Sequence, residues 1–284
     1  MVKTFMLANQ KGGVGKTTAS LELGFKFALK GKKVLLIDLD SQHNLTKCCL
    51  FEDLDERRNI YKALNGDADI DECIKAARPV DMEWVKSHLE GSKLKMAETT
   101  QNDIVLDILP GSRKTLAQYF TAEDDKFLLR AVIQGAADYK DYDYAIIDCG
   151  PGAGSLMTMA MVAADYIIAV VNLNILAYEG FEQLIKDYLS CEDHIKGFKA
   201  KLLGILFSEV KNTTVGHINE DKFVLLGGEV GALPFEHSIS GSCIADECKE
   251  YKLALTEYLP DSKQSIQYKN LADEIEERIC ALEA

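Results

Sequence analysis

Short runs of apolar residues recur along the chain, and segments with apolar residues at helical spacing separate them. The run over residues 34–39 is continuous and ends in acidic residues, as is typical of a strand buried in a parallel sheet. Alternating strands and helices predict βαβ crossovers, and therefore an α/β fold with a mostly parallel twisted sheet and helices on both faces. The predicted strands cover residues 4–9, 34–39, 104–109, 144–147, 166–171 and 202–207, and the predicted helices cover residues 17–29, 126–138, 155–164, 178–191 and 266–282.

The whole chain, residues 1–284, is predicted to form one domain. Its 284 residues suit one large α/β domain or two small ones, and no repeat, low-complexity tract or linker divides them. Residues 52–102 differ from the rest because they are charged and mostly helical in pattern. We predict that they form a helical insertion between two strands and contain no strand themselves.

Composition and charge exclude several classes of protein. A hydrophobic content of 47% is inconsistent with a disordered chain. The eight cysteines include no CxxC pair and the five histidines show no ligand spacing, so a zinc or iron–sulfur site has little support. With no signal-peptide pattern and no apolar stretch long enough to cross a bilayer, a soluble cytoplasmic protein without a membrane partner is expected. The net charge of −13 argues against attraction of nucleic acid to the whole surface, but it allows a local basic patch.

The strongest local signal is the segment KGGVGKTT, residues 11–18, between the first predicted strand and the first predicted helix. Glycines let successive backbone N–H groups point at one anion, and the helix N-terminus adds partial positive charge. Lys16 is expected to reach the β- and γ-phosphates of ATP, and the Thr17 hydroxyl to bind Mg²⁺. A glycine-rich turn with an incidental lysine is the alternative. The predicted nucleotide-binding residues are Gly12, Gly13, Val14, Gly15, Lys16, Thr17 and Thr18.

Carboxylates close two of the predicted strands. Asp38 and Asp40 follow the second strand, and Asp148 ends the run YAIID. Ligands of open α/β sheets bind beyond the carboxyl ends of the strands, and residues two apart on a strand point the same way. Asp38 and Asp40 are therefore predicted to face the phosphate loop. A helix N-cap after a strand is the simpler alternative for both.

The segment NQKGGVGKTT, residues 9–18, resembles the deviant Walker A loop of the ParA/MinD family, and with it the SIMIBI-type P-loop NTPase fold. The resemblance implies that Lys11 reaches the phosphates of the partner subunit in a nucleotide-sandwich homodimer. It implies that Asp40 positions or activates the attacking water and that Asp38 supports the site. Asp148, in a segment that looks like the Walker B strand, would hold Mg²⁺ through water, and residues 150–154 would form the switch loop.

Most of the chain resembles this family, although residues 79–102 match nothing in it. The loop at Pro234 would lie over the adenine, and Ser208 stands where the family often has a base-reading Asn. Three turn positions also depart from the family pattern: Ser41 and His43 replace Pro and Gly, and Gly150 replaces the first of two prolines.

The resemblance favours a ParA-type partitioning ATPase of a plasmid or chromosome. ATP would dimerise the chain, the dimer would bind nonspecific DNA on the nucleoid, and a ParB-like centromere-binding protein would stimulate an otherwise slow hydrolysis. A solvated helix face explains the candidate DNA-binding lysines about as well. Those candidates are Lys196, Lys199, Lys201 and Lys211, with Lys249 and Lys252 behind them.

Two other function classes stay open at this stage. A MinD-like positioning ATPase would act on a membrane or a protein scaffold, and membrane binding needs a basic amphipathic C-terminal helix. The C-terminal segment, residues 269–284, is amphipathic but acidic. A metabolic enzyme of the same superfamily, such as an ATP-dependent ligase or a nitrogenase-type reductase, would need a second substrate pocket or paired cysteines.

Overall fold

The structure is a computed structural model that describes residues 1–50, 54–77, 104–114, 116–152, 154–210, 214–241, 247–248 and 250–284, with residues 214–218 as backbone only. Seven strands and ten α-helices are assigned in these ranges. The strands are β1 (Lys3–Ala8), β2 (Lys33–Asp38), β3 (Lys75–Ala76), β4 (Val105–Leu109), β5 (Tyr144–Asp148), β6 (Tyr166–Val171) and β7 (Lys201–Phe207). The helices are α1 (Lys16–Leu29), α2 (Asn44–Cys49), α3 (Ile60–Asn65), α4 (Ile70–Cys73), α5 (Leu128–Lys140), α6 (Ser155–Ala163), α7 (Ile175–His194), α8 (Thr214–Glu229), α9 (Leu255–Tyr258) and α10 (Lys263–Glu283).

The seven strands form one sheet in the order β3-β4-β2-β5-β1-β6-β7. All pairs are parallel except β3 with β4. The strands of the centre are buried along almost their whole length, which explains why their sequences are continuous apolar runs rather than alternating ones. The prediction of a mostly parallel α/β sheet is confirmed.

The order of the strands places helices on both faces of the sheet. The crossover from β1 through α1 to β2 runs in one direction along the sheet, and the crossover from β5 through α6 to β6 runs in the other. Because such crossovers are right-handed, the two helices lie on opposite faces. The carboxyl ends of β1, β2 and β5 therefore meet at one edge, at the point where the chain reverses direction along the sheet. Asp38 stands opposite Asp148 in the register of β2 and β5.

The segment that follows β2 differs in part from its prediction. It contains the short helices α3 and α4, as expected for a helical insertion, but it also contains the two-residue strand β3. Lys75 and Ala76 pair antiparallel with β4 and form the edge of the sheet, so the expectation of no strand is wrong there. A two-residue strand is too short to produce a hydrophobic period, and the open edge of β4 supplies the hydrogen bonds that it needs. Residues 78–103 lie outside the described ranges, and the single-domain assignment stays a prediction.

Candidate nucleotide site

The loop between β1 and α1 has the backbone of an anion-binding turn. Gly13 and Gly15 adopt φ values of 72° and 87°, in the left-handed region where glycine has no steric penalty. Helix α1 starts at Lys16 with no side-chain cap and no acidic residue in its first turn. The unpaired N–H groups of a helix start and the positive end of its dipole thus remain available for an anion.

Lys16 is buried, and its ammonium group faces back into the loop. Nζ donates to the backbone carbonyls of Asn9 and Lys11, both at 3.0 Å. Burial lowers the pKa of Lys16, while the nearby charge of Asp148 opposes that shift. These two carbonyl contacts can be exchanged for phosphate oxygens, which would compensate the buried charge better than neutral carbonyls do.

The Thr17 hydroxyl and the Asp148 carboxylate lie together beneath the loop. Thr17 Oγ1 donates to Asp148 Oδ2 at 2.7 Å. The second oxygen, Asp148 Oδ1, is buried and has no hydrogen-bond partner among the described residues. Burial, followed by the neighbouring charge of Asp38, raises the pKa of Asp148 to about 7. An orphaned carboxylate oxygen beside a hydroxyl fits a hydrated Mg²⁺, because a metal-bound water would supply the missing donor.

Asp38, in contrast, has its hydrogen-bonding capacity used within the chain. Its Oδ2 accepts from the backbone N–H and the hydroxyl of Thr46, at 2.8 and 2.6 Å. Its Oδ1 accepts from the backbone N–H of Asp40 at 3.2 Å. Burial raises the pKa of Asp38 to about 6, against the lowering effect of these bonds. Its geometry is that of a group that holds α2 and the Asp40 backbone in place.

Asp40 lies two residues after Asp38 and lines the cavity described below. Its Oδ1 accepts from the backbone N–H of Gln42 at 2.9 Å. A Cβ atom at position 150 would come within 2.7 Å of the same oxygen, so Gly150 lets the carboxylate lie against the switch segment. His43 adopts a φ of 42°, the left-handed conformation that favours glycine. The two departures from the family pattern at Gly150 and His43 thus both lie next to Asp40.

A cavity of about 680 Å³ opens beside the loop, within the range usual for small-molecule sites. It brings together the predicted residues Gly12, Gly13, Gly15, Lys16, Thr17, Thr18 and Asp40. Val14 is buried behind the loop instead, and neither Lys11 nor Asp148 is part of the lining. Pro151, from the predicted switch loop, also lines the cavity, as does Lys252, which was considered only as a DNA contact. The sequence reasoning missed the rest of the wall, which is formed by Gln42, Asn44, Lys47, Cys48, Glu209 and Glu250.

Pro234 and Ser208, the two positions considered in connection with the base, are not part of the cavity lining. Pro234 pairs with Ile205 in the middle of β7 and does not line the cavity. Ser208 is buried beneath the phosphate loop, where its hydroxyl donates to the Val14 carbonyl. Ser208 therefore supports the loop rather than facing a base, and a base contact by Pro234 stays a prediction. Glu209 and Lys252, both with positive φ, line the cavity.

The candidate DNA-binding lysines do not form one patch in the described ranges. Lys196, Lys199 and Lys201 are exposed before and at the start of β7, at the amino edge of the sheet. Lys252 lines the cavity at the opposite edge. Seven residues of extended chain separate these edges, a distance of roughly 20 Å. Lys211 and Lys249 lie outside the residues whose side chains are described.

Two further findings concern metals and membranes. Within the described ranges, no group of three or more His, Cys, Asp or Glu side chains has the geometry to hold a metal ion by itself. The same ranges contain no helix that is long and apolar enough to span a membrane. Cys149, next to Asp148, is fully buried, and burial raises the pKa of its thiol to about 12.

Comparisons with known sequences agree with this geometry. A family model described as an AAA domain matches residues 2–200. The chain is 33% identical to the sporulation initiation inhibitor protein Soj of Bacillus subtilis over 197 residues, which are 69% of this chain and 68% of Soj. It is 30% identical to the chromosome partitioning protein ParA of Caulobacter vibrioides over 185 residues, 65% of this chain and 61% of ParA. The match thus spans less than two thirds of the length of ParA.

Solved structures share the fold over nearly the full length. Apo McdA of Cyanothece superposes with a TM-score of 0.77 at 17% identity, covering 98% of this chain and 100% of McdA. The septum site-determining protein MinD of Pyrococcus horikoshii, complexed with Mg-ADP, superposes with a TM-score of 0.71 at 22% identity, covering 100% and 99%. At these identities the likeness concerns the fold.

Proposed function

This chain belongs to the ParA/MinD family of P-loop ATPases, and we propose that it is a partitioning ATPase that cycles between an ATP-bound dimer and a monomer. The site residues fit ATP with Mg²⁺, as argued above from the phosphate loop and the orphaned oxygen of Asp148. The partitioning role is supported by the likeness to ParA, whose name gives that function.

In the proposed reaction each residue has a separate task. Lys16 moves from the carbonyls that it now contacts onto the β- and γ-phosphates. Thr17 and Asp148 would hold Mg²⁺, Asp148 through water, and Mg²⁺ bound there would supply positive charge to neutralise the phosphates. Asp40 orients the attacking water, and Asp38 keeps the Asp40 backbone in place.

The observation that carries the proposal is the contrast between two lysines of one loop. Lys16 is buried and contacts two carbonyls of its own loop. Lys11 Nζ has no hydrogen-bond or ion-pair partner among the described residues, and Lys11 does not line the cavity of its own chain. A cation that is available but not directed into its own site suits a contact with the phosphates of a second subunit. Such a contact would stabilise developing charge as an arginine finger does.

The proposed cycle has two further partners. Nonspecific DNA would bind the ATP dimer, and a ParB-like protein would complete the site and stimulate hydrolysis. The exposed Lys196, Lys199 and Lys201 are the described candidates for phosphate contacts. Since the chain carries a net charge of −13, such contacts must come from a local patch, and dimerisation would double it.

A positioning ATPase that acts on a membrane or protein scaffold is the second candidate. It is favoured by the structural likeness to MinD, whose name gives a septum site-determining role. The C-terminal helix α10 weakens the membrane version of this candidate. Its residues 269–284 carry five acidic side chains against two basic ones, Lys269 and Arg278, so the helix lacks the basic residues that bind anionic lipid.

The deciding experiment uses the Asp40→Ala variant, which should bind ATP and dimerise without turnover. Binding to a nonspecific DNA duplex is measured with ATP, with ADP and without nucleotide, each at two salt concentrations. We expect binding only with ATP, weaker at the higher salt, because phosphate contacts release counterions. Lys16→Ala is the control, since it should lose both nucleotide and DNA.

Three outcomes would contradict parts of the proposal. An ATP dimer that forms without binding DNA would favour the scaffold candidate over partitioning. The absence of a dimer, measured by light scattering with saturating ATP, would refute the sandwich mechanism. Undiminished ATP turnover by Asp40→Ala would remove Asp40 from the reaction.

A further inference from the structure

Two consecutive residues at the start of the phosphate loop, Asn9 and Gln10, are attached to elements outside the loop. Asn9 is buried, and its Nδ2 donates to the Val170 carbonyl in β6 at 2.9 Å. Its Oδ1 accepts from the backbone N–H of Lys11 at 2.8 Å. Between them, Gln10 Nε2 donates to Asp187 Oδ2 of helix α7 at 2.5 Å. The backbone from which the Lys11 side chain departs is therefore held by β6 and α7 together.

Helix α7 approaches this part of the loop more closely than a side chain would permit. A Cβ atom at Gly180 would lie 2.9 Å from the Lys11 nitrogen and 3.1 Å from the Lys11 Cβ. It would also overlap Asn9 Oδ1, the acceptor that fixes the Lys11 backbone. Gly180 lies seven residues before Asp187, so both occupy the same face of α7. That face is the surface on which the start of the loop rests.

The Asp187 carboxylate is itself held in place. Its Oδ1 accepts from Gln183 Nε2, one helical turn earlier, at 3.0 Å, which leaves Oδ2 directed at Gln10. Position 10 is where an ordinary phosphate loop has glycine, which could not make such a contact. The side chain of Gln10 thus joins the loop to α7 by a charge-assisted hydrogen bond, which is stronger and more directional than a neutral one.

From this arrangement we propose that Asp187 is a positioning residue for Lys11, acting through Gln10. It does not touch the nucleotide cavity, whereas the loop residues from Gly12 to Thr18 line most of one wall. Its loss should release the backbone of residues 10 and 11 and leave the phosphate-binding residues that follow in place. The inference rests on the proposed function, because it matters only if Lys11 takes part in turnover.

The test is steady-state ATP hydrolysis of the full chain with MgCl₂. We expect Asp187→Ala to lower kcat by roughly tenfold to a hundredfold, the usual effect of misplacing a catalytic group by about an ångström, with KM for ATP nearly unchanged. Asp187→Asn retains an acceptor for Gln10 and should restore most of the turnover. Asp193→Ala, which removes an exposed acid from the same helix, is the matched control and should behave as wild type.

A double-mutant cycle separates positioning from a merely structural role. In the Lys11→Ala background, Asp187→Ala should have no further effect on kcat, because the group that it positions is already gone. A further loss of the same size as in the wild-type background would overturn the proposal. A drop in thermal stability with a matching rise in KM would do the same, and so would wild-type turnover by Asp187→Ala. Gly180→Ala should reproduce the kcat effect, because its Cβ would displace Asn9 Oδ1 and the Lys11 backbone from the same face of α7.

Failure of the inference can be distinguished from failure of the proposed function. If Lys11→Ala alone turns over ATP at the wild-type rate, the trans role of Lys11 is wrong. If Lys11→Ala is inactive and Asp187→Ala is fully active, only the positioning role of Asp187 is wrong.

Discussion

Helix α1 carries buried charged side chains at two levels, and the two levels differ in how their hydrogen bonds are satisfied. At its start, Lys16 lies near Asp148 and Asp40, and Asp148 in turn lies near Asp38. We call these four residues the nucleotide cluster. Further along the same helix, Glu22 and Lys26 contact Thr256 and Ser265 near the C-terminus, which we call the helix cluster. The charged groups of both clusters are buried.

The helix cluster is closed. Glu22 accepts from the backbone N–H groups of Leu255 and Thr256, at 2.5 and 3.3 Å, and from the Thr256 hydroxyl at 3.0 Å. Lys26 Nζ donates to Ser265 Oγ at 3.0 Å, and Ser265 Oγ lies 3.3 Å from Thr256 Oγ1. Burial raises the pKa of Glu22 and lowers that of Lys26 to about 8. Partners from the chain itself compensate both charges, and the contacts join α1 to α9 and α10.

The nucleotide cluster is open by the same measure. Asp148 Oδ1 has no partner among the described residues, and Lys16 Nζ donates only to carbonyls of the turn that precedes it. An unsatisfied buried oxygen costs about 1–3 kcal/mol, so it persists only where a ligand completes it or strain is tolerated. Both clusters are equally buried, but their hydrogen bonds differ. The charges of the helix cluster are satisfied within the chain and stabilise the fold, whereas those of the nucleotide cluster leave an oxygen that a ligand can satisfy.

The largest effect should come from Lys16→Ala. The variant loses charge-assisted hydrogen bonds to two phosphates, so ATP affinity should fall about a thousandfold, or ~4 kcal/mol. Isothermal titration calorimetry with Mg-ATP measures this. Burial disfavours the charged form of Lys16 when no nucleotide is bound. Removing the side chain should therefore change the melting temperature of the apo protein little. Near-normal ATP affinity would refute the assignment of the phosphate loop.

Glu22→Ala should give the second largest effect, and on stability rather than binding. Removing the acceptor leaves three donors and the Lys26 charge uncompensated, at a cost of about 3 kcal/mol, or roughly 8 °C in melting temperature. Glu22→Gln keeps one acceptor and should lose about half as much. Differential scanning calorimetry without nucleotide measures both variants. An unchanged melting temperature for Glu22→Ala would mean that the helix cluster is not the closed, stabilising element described above.

Asp148→Asn should have a smaller effect, and in the opposite direction for stability. The apo variant is expected to melt no lower than wild type, because burial and the neighbouring Asp38 already disfavour the Asp148 charge and its Oδ1 has no hydrogen-bond partner among the described residues. The gain in ATP affinity on adding Mg²⁺ should fall by about tenfold, as is usual when a group that orients metal-bound water is lost. Titrations with MgCl₂ and with EDTA measure this gain. Strong destabilisation of the apo variant would instead show that the Asp148 charge stabilises the fold, as the Glu22 charge is expected to do.

Local sequence was sufficient to predict the open cluster. The phosphate loop is a contiguous segment, and Asp38 and Asp148 end strands whose apolar runs are plain, so topology alone brings them together. The alternative role for Asp38, a helix N-cap, accounts for only part of its contacts. Its carboxylate accepts from the N–H of Thr46 in α2 and also from the N–H of Asp40.

The closed cluster and the support of the loop could not be predicted in this way. Glu22 bonds residues 233 and 234 positions away, and Gln10 bonds Asp187 across 177 positions, with no local pattern at either end. In a helical pattern Glu22 and Lys26 look like an exposed i,i+4 ion pair, because nothing local shows that α9 and α10 cover them. The pairing of Pro234 with Ile205 of β7 is a long-range feature of the same kind, and only the fold reveals that register.

The smallest expected effect concerns the pH dependence of the helix cluster. The pKa of Lys26 is lowered to about 8 by burial, against the attraction of Glu22 and Asp273 and with the repulsion of Lys269. Between about pH 8 and the ordinary lysine value of 10.5, the unfolded chain binds a proton that the folded chain has lost, so stability rises with pH. Lys26→Met lacks this group, and its urea midpoint should rise less than that of wild type between pH 7.5 and 9.5, by on the order of a few tenths molar. Parallel slopes for the two proteins would show that Lys26 titrates normally, and that the helix cluster is more open to water than its hydrogen bonds indicate.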